Sequence, residues 1–150
     1  MIREMTLSDA IYVIERMRKS DRRALSAVCP GMTDEQFAID RFSTDYHYTV
    51  TVDGVPAVIG GARILVTKTA TLWIVATSRL PEVKLSMMRF AKRFAIGLLS
   101  QGIAHRLEGQ WLADETTCER FAKHFGLEFD GCRRKGGAGG EDIMIYGKVA

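Results

Sequence analysis

One stretch of the chain contains the residue types that bind phosphate in other proteins. The residues "RRKGGAGGED" (133–142) place three cations beside four glycines, followed by two carboxylates. Phosphate-binding glycine loops run from a strand into a helix and follow G-x-G-x-x-G or G-x-x-x-x-G-K-[ST]. This stretch matches neither pattern, and its flanks predict strands on both sides. We interpret it as a mobile hairpin loop, with Arg133, Arg134 and Lys135 as an alternative contact for an anionic partner.

Few other side chains could carry out acid–base or nucleophilic chemistry. Glu108 lies in a predicted strand and could remove an amine proton, although a solvated carboxylate is the simpler interpretation. Tyr46 and His47 are adjacent on a strand, so only one of them can face any cleft. Cys118 has no base next to it in sequence and is predicted to be a small buried apolar residue. Trp73 and Trp111 are predicted to be core residues.

The composition indicates a globular protein with a weak positive charge. The 150 residues are 47% hydrophobic and 26% charged, and the net charge is +3. This length predicts a single domain, 1–150, and the charge is too small to favour nucleic acid. The three cysteines form no C-x-x-C pair, which favours reduced thiols in a cytosol over disulfides or a zinc site. No apolar run predicts a membrane span, and the N-terminus does not resemble a signal peptide.

The N-terminal third predicts one strand and two helices. "MIREMT" is a short candidate strand, and Ser8 is predicted to cap the first helix, with Asp9 in its first turn. The charged run Arg16–Arg23 is interpreted as a solvated helix face, with partner binding as the alternative. Thr33 and Gln36 have capping-box spacing and open the second helix.

The rest of the chain predicts a sheet with two more helices. Strands are expected at 46–52, 56–66 and 70–77, and Gly60-Gly61 indicates a bulge or a close backbone approach. A long helix starts at Pro81 and ends before Gly102, and "AHRLEGQWLA" is the next strand. A short helix with a Thr116–Glu119 capping box precedes the strands "LEFDGCRR" and "DIMIYGKV". The order β-α-α-β-β-β-α-β-α-β-β predicts an α+β fold with four helices on a mixed sheet of about six to seven strands.

This element order resembles the GNAT N-acetyltransferase fold over essentially the whole chain. "LWIVATSRLPEVKLSMMRFA" (72–91) occupies the place of that family's fourth strand, pyrophosphate loop and third helix, and "ETTCERFAKHFGLEF" (115–129) that of its fourth helix and following strand. A narrower resemblance connects "MRKSDRRAL" (17–25), "TVDGVPAVIGGA" (51–62) and "LWIVAT" (72–77) to the GNAT-like internal virion proteins of short-tailed bacteriophages.

The resemblance implies a site for acetyl-CoA. In GNAT enzymes the pantetheine arm pairs with the exposed backbone of the fourth strand, which here would be Ile74, Val75 and Ala76. The pyrophosphate lies over the N-terminus of the next helix, which here would be the loop Ser78 to Lys84, where Arg79 and Lys84 could add charge-assisted contacts. Several family members place a catalytic base on the fifth strand, where this chain has Glu108.

The chain departs from the family at three places. The usual pyrophosphate signature contains glycines, whereas "SRLPEVKL" (78–85) contains none and Pro81 lacks a donor. Ala122 stands where many members carry the tyrosine that protonates the leaving thiolate. Glu115 stands where they often have asparagine. The resemblance therefore supports the fold more strongly than it supports catalysis.

Two functions follow from the resemblance and its exceptions. The first is a phage GNAT-fold protein with a degenerate acetyl-CoA site that acts by binding, in virion assembly, DNA ejection or on a host protein. The second is an active N-acetyltransferase that transfers an acetyl group from acetyl-CoA to an amine. The first implies a place in the cytoplasm of an infected bacterium or in the virion interior. We favour the first, because a fold can outlast its chemistry.

Overall fold

The structure of the protein, a computed structural model, describes residues 1–150. Its strands are β1 (Ile2–Glu4), β2 (Tyr46–Val52), β3 (Val55–Ile64), β4 (Thr69–Ala76), β5 (Arg106–Leu112), β6 (Glu128–Arg133) and β7 (Ile143–Val149). Its helices are α1 (Leu7–Glu15), α2 (Lys19–Val28), α3 (Asp34–Phe42), α4 (Leu80–Ser100) and α5 (Thr116–His124).

All seven strands form one mixed sheet in the order β1-β2-β3-β4-β5-β7-β6. Every neighbouring pair is antiparallel except β4 and β5, which are parallel. Parallel neighbours need a crossover, and the long helix α4 provides it. The α+β class and the predicted order are thus confirmed, with one more helix than the four expected. The extra helix arises because the charged run 16–23 is divided: α1 ends at Glu15 and α2 begins at Lys19.

The helix caps follow local hydrogen-bonding rules, but two of the predicted caps are wrong. Thr6, and not Ser8, caps α1: its hydroxyl accepts from the Asp9 N–H at 3.1 Å, and the Asp9 carboxylate accepts from the Thr6 N–H at 2.9 Å. The Thr33–Gln36 capping box of α3 is confirmed. No side chain caps α5, whose N-cap residue is Glu115, so the Thr116–Glu119 box does not form.

Helices cover both faces of the sheet and bury two main cores. On one face α1 and α3 pack on β3 and β4 around Val13, Ile14, Phe37 and Ile59. On the other face α4 and α5 bury residues of β3, β4, β5 and β7, with Leu98 and Leu107 at the centre. A period of two along each strand supplies both faces with apolar side chains. The fold is held chiefly by this apolar burial.

The glycine pair of β3 marks a close backbone approach, as one of the two predicted alternatives stated. A Cβ on Gly61 would lie 1.9 Å from the Tyr46 carbonyl oxygen and 2.8 Å from the Tyr46 carbonyl carbon on β2. The irregularity in the β2–β3 register lies elsewhere, between Val50 and Thr51. The missing side chain therefore lets β2 and β3 pair tightly here.

Gly61→Ala should destabilise the protein by about 2 kcal/mol, because the sheet backbone must move to admit the methyl group. Gly97→Ala is the matched control: its Cβ would find its nearest neighbour, Gln101 Nε2, at 3.6 Å on the helix α4. Alanine in a helix interior should stabilise that variant by about 0.5–1 kcal/mol. Urea denaturation measures both changes, and equal stabilities of the two variants would refute the close-approach explanation.

Candidate functional site

The one opening in the sheet lies between the parallel strands β4 and β5. Their pairing covers only Thr69–Thr71 with Arg106–Glu108, and β4 then continues to Ala76 without a partner strand on that side. An unpaired strand edge presents N–H and C=O groups to any ligand or segment that can reach it. The opening lies where the resemblance places the acetyl-CoA cleft.

The backbone direction of β4 decides which of the expected pantetheine contacts face this opening. The Thr77 N–H donates to the Ala57 carbonyl of β3 at 2.9 Å. Because backbone groups alternate sides in a strand, Val75 also pairs towards β3, whereas Ile74 and Ala76 point towards the opening. The structure therefore aims the backbone of Ile74 and Ala76 into the cleft and turns that of Val75 away from it.

The start of α2 occupies the end of this strand edge. The Ala76 N–H donates to Asp21 Oδ2 at 2.9 Å, and the Arg18 N–H donates to the Ala76 carbonyl at 2.9 Å. The Arg18 guanidinium binds both Asp21 oxygens, at 3.1 and 2.9 Å. Both backbone groups of the fully buried Ala76 are thus satisfied from within the chain. We call Arg18 and Asp21 together the α2 clip.

Further hydrogen bonds connect α2 to the loop between β5 and α5, and to α1 and α3. The Arg23 guanidinium forms two hydrogen bonds to Asp114, at 2.9 and 2.5 Å, in the loop between β5 and α5. The Arg22 guanidinium binds Asp34 and the Ile14 carbonyl. The side chains of Arg22 and Arg23 are partly exposed to solvent, in agreement with the interpretation of 16–23 as a solvated face, and they also hydrogen-bond to other elements of the fold.

The glycine loop also contacts α2. The Ala138 N–H donates to the Ala27 carbonyl at the end of α2 at 2.8 Å, and the Lys135 N–H donates to Asp142 at 2.8 Å. The loop joins β6 to β7, two strands, as predicted. Its glycines lead into a strand and not into a helix, so it lacks the strand-to-helix geometry of a phosphate-binding loop. The side chains of Arg133 and Arg134 are exposed and form no ion pair.

The residues expected to hold a pyrophosphate surround the start of α4, and one of their two cations, Arg79, is already paired. Arg79 is the N-cap residue, and its guanidinium binds Glu82 at 2.8 and 3.1 Å and lies 3.6 Å from Asp53. Glu82 is the acidic residue of the first turn, where it takes the favourable place near the helix dipole. Lys84 is exposed and has no carboxylate within ion-pair distance.

The backbone donors of the same loop are also largely satisfied. The N–H groups of Arg79 and Leu80 donate to the Thr77 hydroxyl and carbonyl, at 3.3 and 3.2 Å, and the Glu82 N–H donates to the Arg79 carbonyl. Pro81 has no N–H. The Ser78 N–H has no acceptor within the chain and is a free donor in this loop. A helix N-terminus binds anions through free N–H groups, and few are free here.

The candidate base Glu108 lies in an ion-pair network. Its carboxylate accepts from the Arg106 guanidinium at 3.2 Å and from Gln110 at 3.4 Å, and Arg106 also binds Asp130. The neighbouring Leu107 points into the core beneath α4, so Glu108 points to the opposite face of β5. Hydrogen bonds from Arg106 and Gln110 thus occupy both oxygens of the Glu108 carboxylate, which would have to leave these partners to reach an amine.

Two residues that matter for the cleft were missed by the sequence analysis. Asp21 reaches the edge of β4 across 55 positions of sequence, and nothing in its local pattern signals that contact. Phe121 of α5 packs against the cluster containing Ala76 and Met87 as well as that containing Leu98, so its ring lies between α4 and α5. The amphipathic pattern of α5 was the sequence signal that could have predicted that Phe121 is packed against the core.

The remaining candidates are structural. Cys118 is partly buried near Glu115, and burial, followed by that carboxylate, raises the pKa of its thiol to about 12. Trp73 packs on the core beneath α1 and α3, and Trp111 packs edge-on to Tyr146, so both core predictions are confirmed. Tyr46 meets Phe94, and His47 meets Phe42 on the other face.

Cys118 should therefore react slowly with alkylating reagents, because the thiolate is the reactive form. At pH 8 with iodoacetamide, we expect Cys132, which is exposed, to be alkylated much faster than Cys118. Peptide mass spectrometry over a time course measures both rates in one sample. Alkylation of Cys118 as fast as Cys132 would contradict this and restore Cys118 as a candidate nucleophile.

The structure shows neither a cluster of metal ligands nor a helix that could span a membrane. No group of three or more His, Cys, Asp or Glu side chains is arranged to hold a metal ion. None of the helices combines the length and apolar character needed to cross a bilayer.

No protein-family model and no curated protein matches the chain. Solved structures do match it. An N-acetyltransferase from Staphylococcus aureus has a TM-score of 0.78 at 13% identity, with 99% of this chain and 97% of that chain covered. A ribosomal-protein-alanine N-acetyltransferase from Brucella melitensis has a TM-score of 0.75 at 16% identity, with 100% and 99% covered.

A third match was solved with its ligands. The microcin C7 self-immunity acetyltransferase, in complex with acetyl-CoA and AMP, has a TM-score of 0.74 at 14% identity, with 99% of this chain and 91% of that chain covered. The chain therefore has the fold of the GNAT acetyltransferases, as the resemblance implied. At these identities the similarity shows the fold alone.

Proposed function

We propose that this protein is a GNAT-fold protein that no longer uses acetyl-CoA and acts by binding another protein. The resemblance to internal virion proteins supports a bacteriophage setting, with a phage protein in virion assembly or DNA ejection, or a host protein, as the partner. The observation that carries the proposal is the α2 clip. Asp21 and Arg18 take both backbone groups of Ala76, at the strand edge that a pantetheine arm would need.

The electrostatics at the start of α4 support the same conclusion. A pyrophosphate carries negative charge and needs free donors and unpaired cations. Here Glu82 puts a carboxylate in the first turn and binds Arg79, which leaves Lys84 as the unpaired cation of this loop. An incoming pyrophosphate would have to displace Glu82 from Arg79 and would still face its negative charge.

A second candidate function is an active N-acetyltransferase. The observation that favours it is the separation of β4 from β5, which leaves the backbone of Ile74 facing the opening. An acetyl carbonyl could accept a hydrogen bond from a strand N–H there, which would stabilise the charge that develops on its oxygen. Glu108 would be the base, once released from Arg106.

Turnover measurements distinguish the two functions. The protein is mixed with acetyl-CoA and, separately, a peptide with an N-terminal alanine, a lysine peptide and a polyamine, and release of the CoA thiol and acetylated product are followed. We expect rates equal to the protein-free blank. Acetyl transfer that is lost in Glu108→Gln and retained in the control Glu128→Gln, an exposed glutamate of β6, would overturn the proposed function.

A further inference from the structure

The outward side of α4 combines exposed aliphatic side chains with cations. Leu85 is 65% exposed and Ile96 is 45% exposed, and Arg89, Lys92 and Arg93 lie between them in sequence. We call these five residues the α4 outer face. They occupy positions i, i+4, i+7, i+8 and i+11 of one helix, which share a side. Leu85 and Ile96 are then about 16 Å apart along the axis.

The orientation of this face is fixed by the core. Met87, Ala95 and Leu98 on the opposite side of α4 are buried against the sheet. The helix cannot rotate to bury Leu85 or Ile96 without exposing that core. Leu85 and Ile96 can therefore be buried only by a binding partner, and burying each of them would be favourable.

The cations of this face are unpaired, in contrast to those of most other helices. The ion pairs of the chain use Arg18, Arg22 and Arg23 of the α2 region and Arg41 of α3, but none uses Lys84, Arg89, Lys92 or Arg93. The only acidic residue in the first turn of α4, Glu82, is bound to Arg79. The helix therefore presents uncompensated positive charge between its two exposed aliphatic residues.

We propose that the α4 outer face docks an acidic segment of a partner protein, an amphipathic helix with apolar residues flanked by glutamates or aspartates. On this face the cations lie between the two aliphatic side chains, so a complementary segment carries carboxylates between two apolar residues about three helical turns apart. Nucleic acid would use the cations and leave the aliphatic residues in water. A lipid surface favours a broad apolar stripe, whereas the broad apolar stripe of α4 lies in the core.

This inference deepens the proposed function by naming a partner class and a surface, and the two can fail separately. Tight binding of acetyl-CoA would end the proposal of a non-catalytic protein and leave the α4 outer face untouched. Loss of the α4 interaction would leave the α2 clip and its consequence for acetyl-CoA unchanged.

The test uses a fluorescent synthetic helical peptide of about four turns, with leucines on one side and glutamates beside them, a length that covers the α4 outer face. Fluorescence anisotropy measures its binding to the full chain. Arg89→Glu combined with Arg93→Glu should weaken binding by at least about tenfold, because two attractive contacts become repulsive. Arg133→Glu combined with Arg134→Glu changes the net charge equally, on exposed residues of the β6–β7 region, and should have a much smaller effect.

A second pair of variants tests the apolar part. Leu85→Ser and Ile96→Ser should each weaken peptide binding at high salt, where the charges are screened. Duplex DNA and vesicles of phosphatidylserine are titrated in parallel. The proposal is overturned if the peptide does not bind at millimolar concentration, if the control charge reversal weakens binding equally, or if DNA or vesicles bind more tightly than the peptide and the serine variants bind them unchanged.

Discussion

Replacing Asp9 with asparagine should cost about 3 kcal/mol of folding stability at neutral pH, since it removes one partner from a buried, charged hydrogen-bond network. The Asp9 carboxylate is almost fully buried and accepts hydrogen bonds from Arg3, from the Thr6 N–H and from the Thr49 hydroxyl at 3.0 Å. These contacts join β1, α1 and β2. Urea denaturation of the wild type and the variant measures the difference.

The effect of Asp9 should depend on pH in a definite direction. Burial raises the pKa of Asp9, but the hydrogen bonds from Arg3, Thr6 and Thr49 outweigh it and hold the pKa at about 2, below the ordinary 3.8. A lowered folded-state pKa contributes stability above the unfolded pKa, and that stability is lost as the pH falls through the folded value. The shift corresponds to about 2 kcal/mol.

The stability difference between the wild type and Asp9→Asn should therefore shrink by about that amount between pH 5 and pH 2. Asp34→Asn is the control, because Asp34 also pairs with an arginine but is much more exposed. Its difference from the wild type should be smaller throughout. A difference for Asp9→Asn that stays constant over this range would contradict the charged network.

Removing Asp21 should have the second large effect, because it dismantles the α2 clip. Asp21→Ala leaves the fully buried Ala76 N–H without an acceptor and releases the Arg18 guanidinium. An unsatisfied buried donor and the loss of charged hydrogen bonds should together cost about 3 kcal/mol. Urea denaturation measures the total, and amide hydrogen exchange at Ala76 should accelerate beyond the change in global stability.

The matched control for the α2 clip is a second contact of the same helix, the ion pair between Arg23 and Asp114. Asp114→Ala removes the exposed partner of Arg23, and a surface pair of this kind contributes little. It should leave exchange at Ala76 unchanged. If amide exchange at Ala76 accelerates equally in both variants, the whole of α2 protects the edge of β4, and Asp21 has no special role.

The fold could be predicted largely because local patterns and the global architecture agree. The alternating Val, Ile and Thr residues of β2, β3 and β4, the Asp53-Gly54 turn and the apolar stripe of α4 each specify one element. The errors occurred where short local signals compete. Thr6 and Ser8 are both good N-caps, and only the hydrogen bonds with Asp9 select Thr6.

The state of the candidate site could be predicted only in part. The sequence analysis found the loop around Arg79 and the missing glycines, because these are local features. It could not find that Asp21 binds the backbone of Ala76, since a contact between residues 55 positions apart leaves no local pattern. For the same reason it did not find that Arg22 and Arg23, although partly exposed to solvent, pair with carboxylates outside their own helix.

The central claim is that α2 at Ala76 and Glu82 at Arg79 occupy groups that acetyl-CoA would need. A calorimetric titration of the wild-type protein with acetyl-CoA tests this most directly, with a titration of Asp21→Ala at a temperature where that variant is folded as the comparison. The account predicts no saturable binding by the wild type up to millimolar ligand. A micromolar Kd for the wild type would contradict it and would restore the acetyltransferase as the first candidate function.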